Sequence, residues 1–128
     1  MSAGLTTHVL DTSREGPAEG VDVTLRRVGE DGDVEAIAEG TTNDDGRLDE
    51  PLLTPESIEA GTYELLFDVG EYYRDGPSGS TFLETVPVRF VVADAEEHYH
   101  VPLLLSAGGY RSYRGSSKDS RPIARYVN

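Results

Sequence analysis

Short segments in which apolar and polar residues alternate recur along the chain, and clusters of Gly, Pro, Asp, Asn and Ser separate them. Val21, Val23 and Leu25, for example, alternate with polar residues, which gives the segment one apolar face and one polar face. Successive side chains of a β-strand point to opposite faces, so this period predicts a half-buried strand. No stretch of useful length has helical periodicity. The pattern therefore predicts an all-β fold.

Most other apolar segments follow the same period. The sequences Glu-Asp-Gly-Asp at 30–33 and Asn-Asp-Asp-Gly at 43–46 predict hairpin turns, the second of them just before a strand that starts at Arg47. One short helix is predicted between Val69 and Gly79, where Gly and Pro leave room for little more. The predicted strands cover 5–10, 21–25, 34–41, 62–68, 86–92 and 98–106, with a last short one within 108–113. This spacing suits a β-sandwich.

The segment 98–106, His-Tyr-His-Val-Pro-Leu-Leu-Leu-Ser, is apolar on both faces. One face consists of Tyr99, Val101, Leu103 and Leu105, and the other of His98, His100, Pro102 and Leu104. Only one face of a sandwich strand can lie against the core, so the second face needs a cover, for which a partner subunit is the simplest choice. This places both histidines near a subunit interface. The alternative is that both histidines lie on a solvent-facing edge of the sheet.

Size and composition limit the class of protein. The chain has 128 residues and a mass of 13.9 kDa, which fits one domain. It has no run close to the roughly 20 apolar residues of a membrane helix, and its start lacks a basic stretch followed by an apolar one. We therefore expect no membrane partner, no export and a cytoplasmic location. The lack of cysteine excludes disulfide scaffolds, thiol nucleophiles and cysteine zinc sites.

Acidic residues dominate the charge. There are 24 Asp and Glu against 11 Lys and Arg, which gives a net charge of -13. Such a surface repels phosphate backbones, so we expect no nucleic-acid partner. Lys118 is the only lysine. An acidic, lysine-poor surface suggests a halophilic protein from a salt-rich cytoplasm, with an ordinary acidic protein as the alternative. The segment 117–128 is basic and without periodicity, which indicates an extension for which disorder is one interpretation.

The histidines offer two kinds of chemistry. His98 and His100 project to the same side of one strand, and His8 could complete a three-histidine zinc site with an open position for water. General acid and base catalysis is the other possibility, with Arg47 after the Asp-Asp-Gly turn stabilising an oxyanion. Arg47 could equally be an ordinary surface arginine. The sequence has no phosphate loop, dinucleotide fingerprint or serine-hydrolase elbow.

Several segments together carry a family resemblance. They are Leu-Thr-Thr-His-Val-Leu-Asp-Thr at 5–12, Gly-Pro-Ala-Glu-Gly at 16–20, Thr-Thr-Asn-Asp-Asp-Gly-Arg at 41–47, the segment 98–106 and Tyr-Arg-Gly-Ser at 113–116. In this order they resemble the 5-hydroxyisourate hydrolases, the enzyme branch of the transthyretin-like family. His-Tyr-His-Val-Pro and Tyr-Arg-Gly-Ser are the specific parts, and together they separate this branch from the hormone carriers.

The resemblance implies a prealbumin-like sandwich of two four-stranded antiparallel sheets with one short helix. The hydrolase domain would span 1–116, with 117–128 as the extension. The family forms homotetramers, as dimers of dimers, with active sites in a channel between dimers. Carried over to this sequence, the catalytic residues are His8, Arg47 and His100, and Tyr113 and Ser116 complete the site near the substrate, with His98 in support. Because the substrate is anionic and the protein acidic, we add Arg114 to Arg47 as a positive lining.

The implied reaction is the hydrolysis of 5-hydroxyisourate to 2-oxo-4-hydroxy-4-carboxy-5-ureidoimidazoline during urate degradation, with no cofactor and no metal. Two departures from the family pattern stand out. Arg111 and Ser112 replace the usual Ser and Thr before Tyr113, and twelve residues follow Ser116, where the family usually stops. The alternatives are a transthyretin-like binding module without turnover and the three-histidine zinc enzyme.

Overall fold

The computed structural model describes residues 4–77, 79–106 and 108–115, and this part of the chain forms eight strands and one short helix. The elements are β1 (Gly4–Asp11), β2 (Gly16–Pro17), β3 (Asp22–Val28), β4 (Val34–Thr41), β5 (Gly61–Asp68), α1 (Val69–Arg74), β6 (Thr85–Val92), β7 (His98–Ser106) and β8 (Gly109–Ser112). The predicted all-β class and the short helix are confirmed. Ser116 and the predicted extension 117–128 lie outside the described residues.

The strands form two four-stranded sheets, as predicted. The first sheet has the order β2-β1-β7-β8 and the second β4-β3-β5-β6. One detail differs from the expected antiparallel sheets, because β1 and β7 run parallel over their whole length and make the first sheet mixed. Parallel neighbours need a long crossover. The chain between β1 and β7 supplies one, since it includes all four strands of the second sheet.

The core lies between the sheets and is built from alternate residues of the strands. Side chains with no exposed area come from both sheets, among them Leu5, Val9, Val23, Leu25, Tyr63, Leu65, Phe67, Leu103 and Leu105. On β7 the buried face is the one that begins at Tyr99 and includes Val101, as the sequence predicted. Each such side chain removed from water contributes about 1.5–3 kcal/mol, which makes this alternation the main source of stability.

The other face of the first sheet carries all three histidines, and we call it the histidine face. Its central side chains are Thr6, His8 and Leu10 of β1 and His98, His100 and Leu104 of β7, and all are half-buried. The parallel register sets Thr6 opposite His100 and Gly4 opposite His98. Residues opposite each other in a sheet share a face. Parallel pairing therefore brings together histidines about ninety positions apart.

Two turns differ from the prediction. The segment 11–20, which lies between the predicted strands 5–10 and 21–25, contains the short edge strand β2, which pairs with Leu10 and Asp11. Arg47 does not begin a hairpin strand with β4 but forms an isolated bridge with His8 on the other sheet. Gly46 has a φ of 76°, and its carbonyl accepts a hydrogen bond of 2.8 Å from the Val9 amide. A side chain at Gly46 would collide with β1, so glycine permits this crossing.

Candidate active site

His8 is held at one end of the histidine face by the loop that precedes Arg47. Its Nε2 lies 2.9 Å from the Asp45 carbonyl oxygen. Because a carbonyl only accepts hydrogen bonds, Nε2 carries the proton and Nδ1 of the neutral ring has the lone pair. Partial burial and the nearby Arg47 charge lower the pKa of His8, against an opposing effect of Asp45. His8 is therefore a neutral imidazole of fixed tautomer at neutral pH.

The loop at 43–47 fixes the position of Arg47. The Asn43 side-chain oxygen accepts hydrogen bonds from the backbone amides of Asp45, at 2.8 Å, and Arg47, at 3.2 Å. The backbone N–H of Asn43 in turn donates a 2.7 Å hydrogen bond to the Arg47 carbonyl. The Arg47 side chain is exposed, and within the described ranges no carboxylate lies at salt-bridge distance from it. Its guanidinium thus keeps its charge and its hydrogen-bond donors available.

His100 lies near the middle of the histidine face and is the most strongly perturbed of the three histidines. Burial, then the charge of Arg47 and electrostatic interactions with His8 and His98, lower the pKa of His100 to about 4. Burial and Arg114 lower the pKa of His98 as well. Imidazoles with lowered pKa values stay neutral at neutral pH and retain a lone pair that can take up a proton. His8, Arg47, His98 and His100 are the four predicted residues that the structure brings together.

Thr6 joins the two histidines of β7, a role that the sequence analysis missed. Its Oγ1 lies 2.8 Å from His100 Nδ1 and 3.1 Å from His98 Nε2. Thr6 precedes His8 by two positions, so both side chains lie on the same face of β1. This spacing is the one signal in the sequence that places Thr6 near the site. No local pattern could show that it would face β7.

The Tyr-Arg-Gly motif runs beside His100. The Gly115 amide donates a 2.7 Å hydrogen bond to the His100 carbonyl, and a side chain on Gly115 would come within 2.8 Å of the His100 ring carbon Cδ2. Glycine is therefore needed for this close approach. Tyr113 is half-buried and lines a groove of about 350 Å³ at the edge of the sandwich, together with Phe90 and Tyr99.

Arg114 is oriented away from the position that the sequence analysis expected. Its guanidinium lies 4.1 Å from the centre of the Tyr99 ring and donates hydrogen bonds of 3.0 Å to the Glu97 carboxylate and to the His98 carbonyl. These contacts fix the backbone around His98 and engage the Nη2 group of Arg114. Ser116, the last of the predicted binding residues, lies outside the described part of the chain.

The structure does not gather the three histidines around one point. Among residues 4–77, 79–106 and 108–115, the only group of three metal-ligating side chains with ligand atoms within 4.8 Å of one another is Asp22, Asp68 and Glu71. This acidic group belongs to the end of the second sheet and to α1, away from the histidine face. The three-histidine zinc interpretation therefore lacks its geometry, whereas neutral imidazoles beside a cation suit acid and base chemistry.

Comparison with known proteins identifies the family. The model of the HIUase/Transthyretin family matches residues 5–115, which include every element from β1 to β8. The chain belongs to this family. The four residues grouped on the histidine face all lie within the range that the family model matches.

Relatives within the family include 5-hydroxyisourate hydrolases and a transthyretin. The 5-hydroxyisourate hydrolase of Halalkalibacterium halodurans is 53% identical over 119 residues, which cover 91% of this chain and 100% of the relative. The structure of Klebsiella pneumoniae 5-hydroxyisourate hydrolase matches with a TM-score of 0.75 and 34% identity, over 89% of this chain and 99% of that one. Sea bream transthyretin in complex with thyroxine has a TM-score of 0.82 and 30% identity, over 93% and 100%.

No helix in the described part of the chain is both long enough and apolar enough to span a membrane.

Proposed function

We propose that this chain is a 5-hydroxyisourate hydrolase, which opens the ring of its substrate to form 2-oxo-4-hydroxy-4-carboxy-5-ureidoimidazoline in urate degradation. The observation that carries the proposal is the grouping of two neutral imidazoles, His8 and His100, with the guanidinium of Arg47, which has no carboxylate partner among the described residues. The 53% identity to a named 5-hydroxyisourate hydrolase over 91% of the chain supports it. These groups are the acid, base and oxyanion partners that hydrolysis of a cyclic amide needs.

In the proposed mechanism His100 acts first. Its Nδ1 faces Thr6, which leaves Nε2 to take a proton from water as the water oxygen attacks the ring carbonyl. Arg47 stabilises the oxyanion that forms. When the carbon–nitrogen bond breaks, His100 returns the same proton to the leaving ring nitrogen. A returned proton is needed because both imidazoles begin neutral and neither holds a spare one.

His8 has a different part in this proposal. Its Nε2–H is bound to the Asp45 carbonyl, so only Nδ1, with its lone pair, is available to the substrate. A lone pair in a fixed position accepts a hydrogen bond from a ring N–H and orients the carbonyl towards the water. His8 is thus proposed to select the substrate's orientation, with His98, Tyr113 and Ser116 as further substrate-binding residues. For Arg114 we propose an indirect contribution through the His98 backbone, since its guanidinium stacks on Tyr99 and donates to Glu97 and to the His98 carbonyl.

The proposal includes a homotetramer, built as a dimer of dimers, in the cytoplasm of a salt-loving organism. Support for the assembly comes from the histidine face, where Leu10 and Leu104 flank the histidines and remain partly exposed in the single chain. Support for a salt requirement comes from the net charge of -13, whose self-repulsion salt would screen. Sedimentation from dilute buffer to molar salt tests both, because the tetramer should strengthen as salt rises.

One assay tests the activity. Freshly generated 5-hydroxyisourate decays with a change in ultraviolet absorbance, and the protein should accelerate this decay equally with and without EDTA. Loss of the acceleration in EDTA and its return with zinc would favour a metal enzyme instead. A decay rate unchanged by the protein, combined with binding of the substrate, would favour the non-catalytic binding module that the likeness to thyroxine-bound transthyretin suggests.

A further inference from the structure

The Thr6 hydroxyl lies between two imidazoles of the proposed active site. It makes hydrogen-bond contacts of 2.8 Å to His100 Nδ1 and 3.1 Å to His98 Nε2. A threonine hydroxyl has one proton to donate and two lone pairs that accept. Each neutral imidazole has one nitrogen that donates and one that accepts. The proton of Thr6 can therefore serve only one of the two histidines, and the other histidine must donate to the Thr6 oxygen.

Local charge decides between the two arrangements. The charge of Arg47 acts on the His100 ring and helps to lower its pKa. Nδ1 of this ring is occupied by Thr6, so Nε2 is the nitrogen that remains for the rest of the site. A nearby cation is better tolerated by a lone pair than by an N–H group. The arrangement that leaves a lone pair on Nε2 is the one in which His100 donates its Nδ1 proton to Thr6 and Thr6 donates its own proton to His98.

We propose that Thr6 is a positioning residue for the hydrolysis, which couples the tautomers of His98 and His100 and keeps the lone pair of His100 on Nε2. The inference rests on the proposed function, in which that lone pair is the base. The same hydrogen bonds would let His100 share the positive charge that it gains on protonation with His98. When Nε2 takes a proton from water, the Nδ1 proton can pass to Thr6 Oγ1 as the Thr6 proton passes to His98 Nε2, so that Thr6 ends with one proton, as it began.

The surroundings of the two rings fit this sharing. His100 interacts electrostatically with the Arg47 charge and with the His8 and His98 rings, and these interactions disfavour its protonated form. Arg114 is the charged group that acts on His98. Arg114 is itself paired with Glu97, which offsets its charge. Gly4 lies opposite His98 in the parallel register, so no side chain from that position separates the His98 ring from Thr6.

The test compares three threonine variants of the full chain. Thr6→Val keeps the branched shape but removes the hydroxyl, and Thr6→Ser keeps the hydroxyl. Thr7→Val is the matched control, because the Thr7 hydroxyl is buried on the core side of the same strand and donates to the Val101 carbonyl rather than to an imidazole. Two measurements are made on each variant, the tautomers of His98 and His100 by nitrogen-15 NMR and the steady-state kinetics with 5-hydroxyisourate.

In the unmodified protein, NMR should show His100 with its proton on Nδ1. Thr6→Val should shift His100 towards the opposite tautomer and lower kcat by about 10- to 100-fold with KM nearly unchanged, as loss of a partner that orients a functional histidine commonly does. Thr6→Ser should restore both the tautomer and most of kcat. Thr7→Val should leave the tautomers and the kcat of the folded protein unchanged.

An unchanged His100 tautomer in Thr6→Val would overturn the inference, whatever happens to the rate. So would a loss of rate that Thr6→Ser does not restore, since that would indicate a packing role. If the unmodified protein does not hydrolyse 5-hydroxyisourate but Thr6→Val still switches the His100 tautomer, the proposed function fails while the coupling by Thr6 stands.

Discussion

The arginines on the outer faces of the two sheets differ in whether they pair with a carboxylate. On the second sheet Glu64 is directly opposite both Arg26 and Arg89 in the strand register and pairs with both. On the histidine face Arg47 has no carboxylate within salt-bridge distance among the residues that the structure describes. A paired guanidinium has its donors occupied, whereas an unpaired one can bind an oxyanion. The candidate site thus lies on the face where, within the described residues, the arginine has no carboxylate partner.

The titrating groups of the two faces show the same contrast. The hydrogen bond from Arg26 lowers the pKa of Glu64, which makes that carboxylate more firmly charged. Burial lowers the pKa of His100 to about 4, which makes that imidazole more firmly neutral. The direction is the same but the consequence is opposite, because a lowered pKa favours the charged form of an acid and the neutral form of a base. One face gains a stable ion pair and the other keeps a free base.

Replacing one arginine on each face gives the largest expected difference. Arg47→Gln should lower kcat by about 100- to 1000-fold, the usual cost of removing an oxyanion-stabilising donor. Arg89→Gln is the matched control, because it removes a partly exposed arginine from the opposite face and leaves Arg26 on Glu64. Its kcat should not change. Both are measured as 5-hydroxyisourate decay at saturating substrate. Equal losses in the two variants would show that net charge, rather than the position of Arg47, supports the rate.

The two sides of β7 should separate activity from stability. His100→Ala should lower kcat by roughly 100-fold or more, the usual scale for losing an acid or base catalyst, with the fold retained. Leu103→Ala, on the fully buried side, should lower the free energy of unfolding by about 2–5 kcal/mol and leave the kcat of the folded protein nearly unchanged. Urea unfolding and the decay assay distinguish these effects. If His100→Ala retained near-normal turnover, His98 would become the better candidate for the base.

The sequence predicts most of the fold because the relevant information is local. Alternation at two-residue spacing determines which side of a strand is buried, so the core side of β7 follows from the order of residues alone. The same reasoning could not give the parallel pairing of β1 with β7. Strand pairing across about ninety residues depends on the whole fold, and no short pattern in either strand specifies its partner.

For the candidate site, the sequence names residues that the structure places on one face, but it does not predict their contacts. Resemblance to the hydrolases pointed to His8, Arg47 and His100, and the geometry groups them on one face. The bridge between Arg47 and His8 is not apparent from the sequence, because an Asn-Asp-Asp-Gly turn is typical of a hairpin within one sheet. Arg114 was expected beside Arg47 but stacks on Tyr99, since a long side chain follows local partners that the sequence does not display.

The smallest expected effect is a shift in the acid limit of activity. An ordinary histidine base would lose half its activity near pH 6.5, because protonation removes the lone pair. The pKa of His100 is lowered to about 4, so kcat/KM should stay nearly constant as the pH falls through 6.5 and decline only at clearly lower pH. Arg47 contributes to this lowering, so Arg47→Gln should move the decline to higher pH, whereas Arg89→Gln should not. Decay rates are measured across the pH range, with the uncatalysed decay subtracted at each pH. A midpoint near 6.5 in the unmodified protein would contradict the assignment of the base to a half-buried, neutral His100.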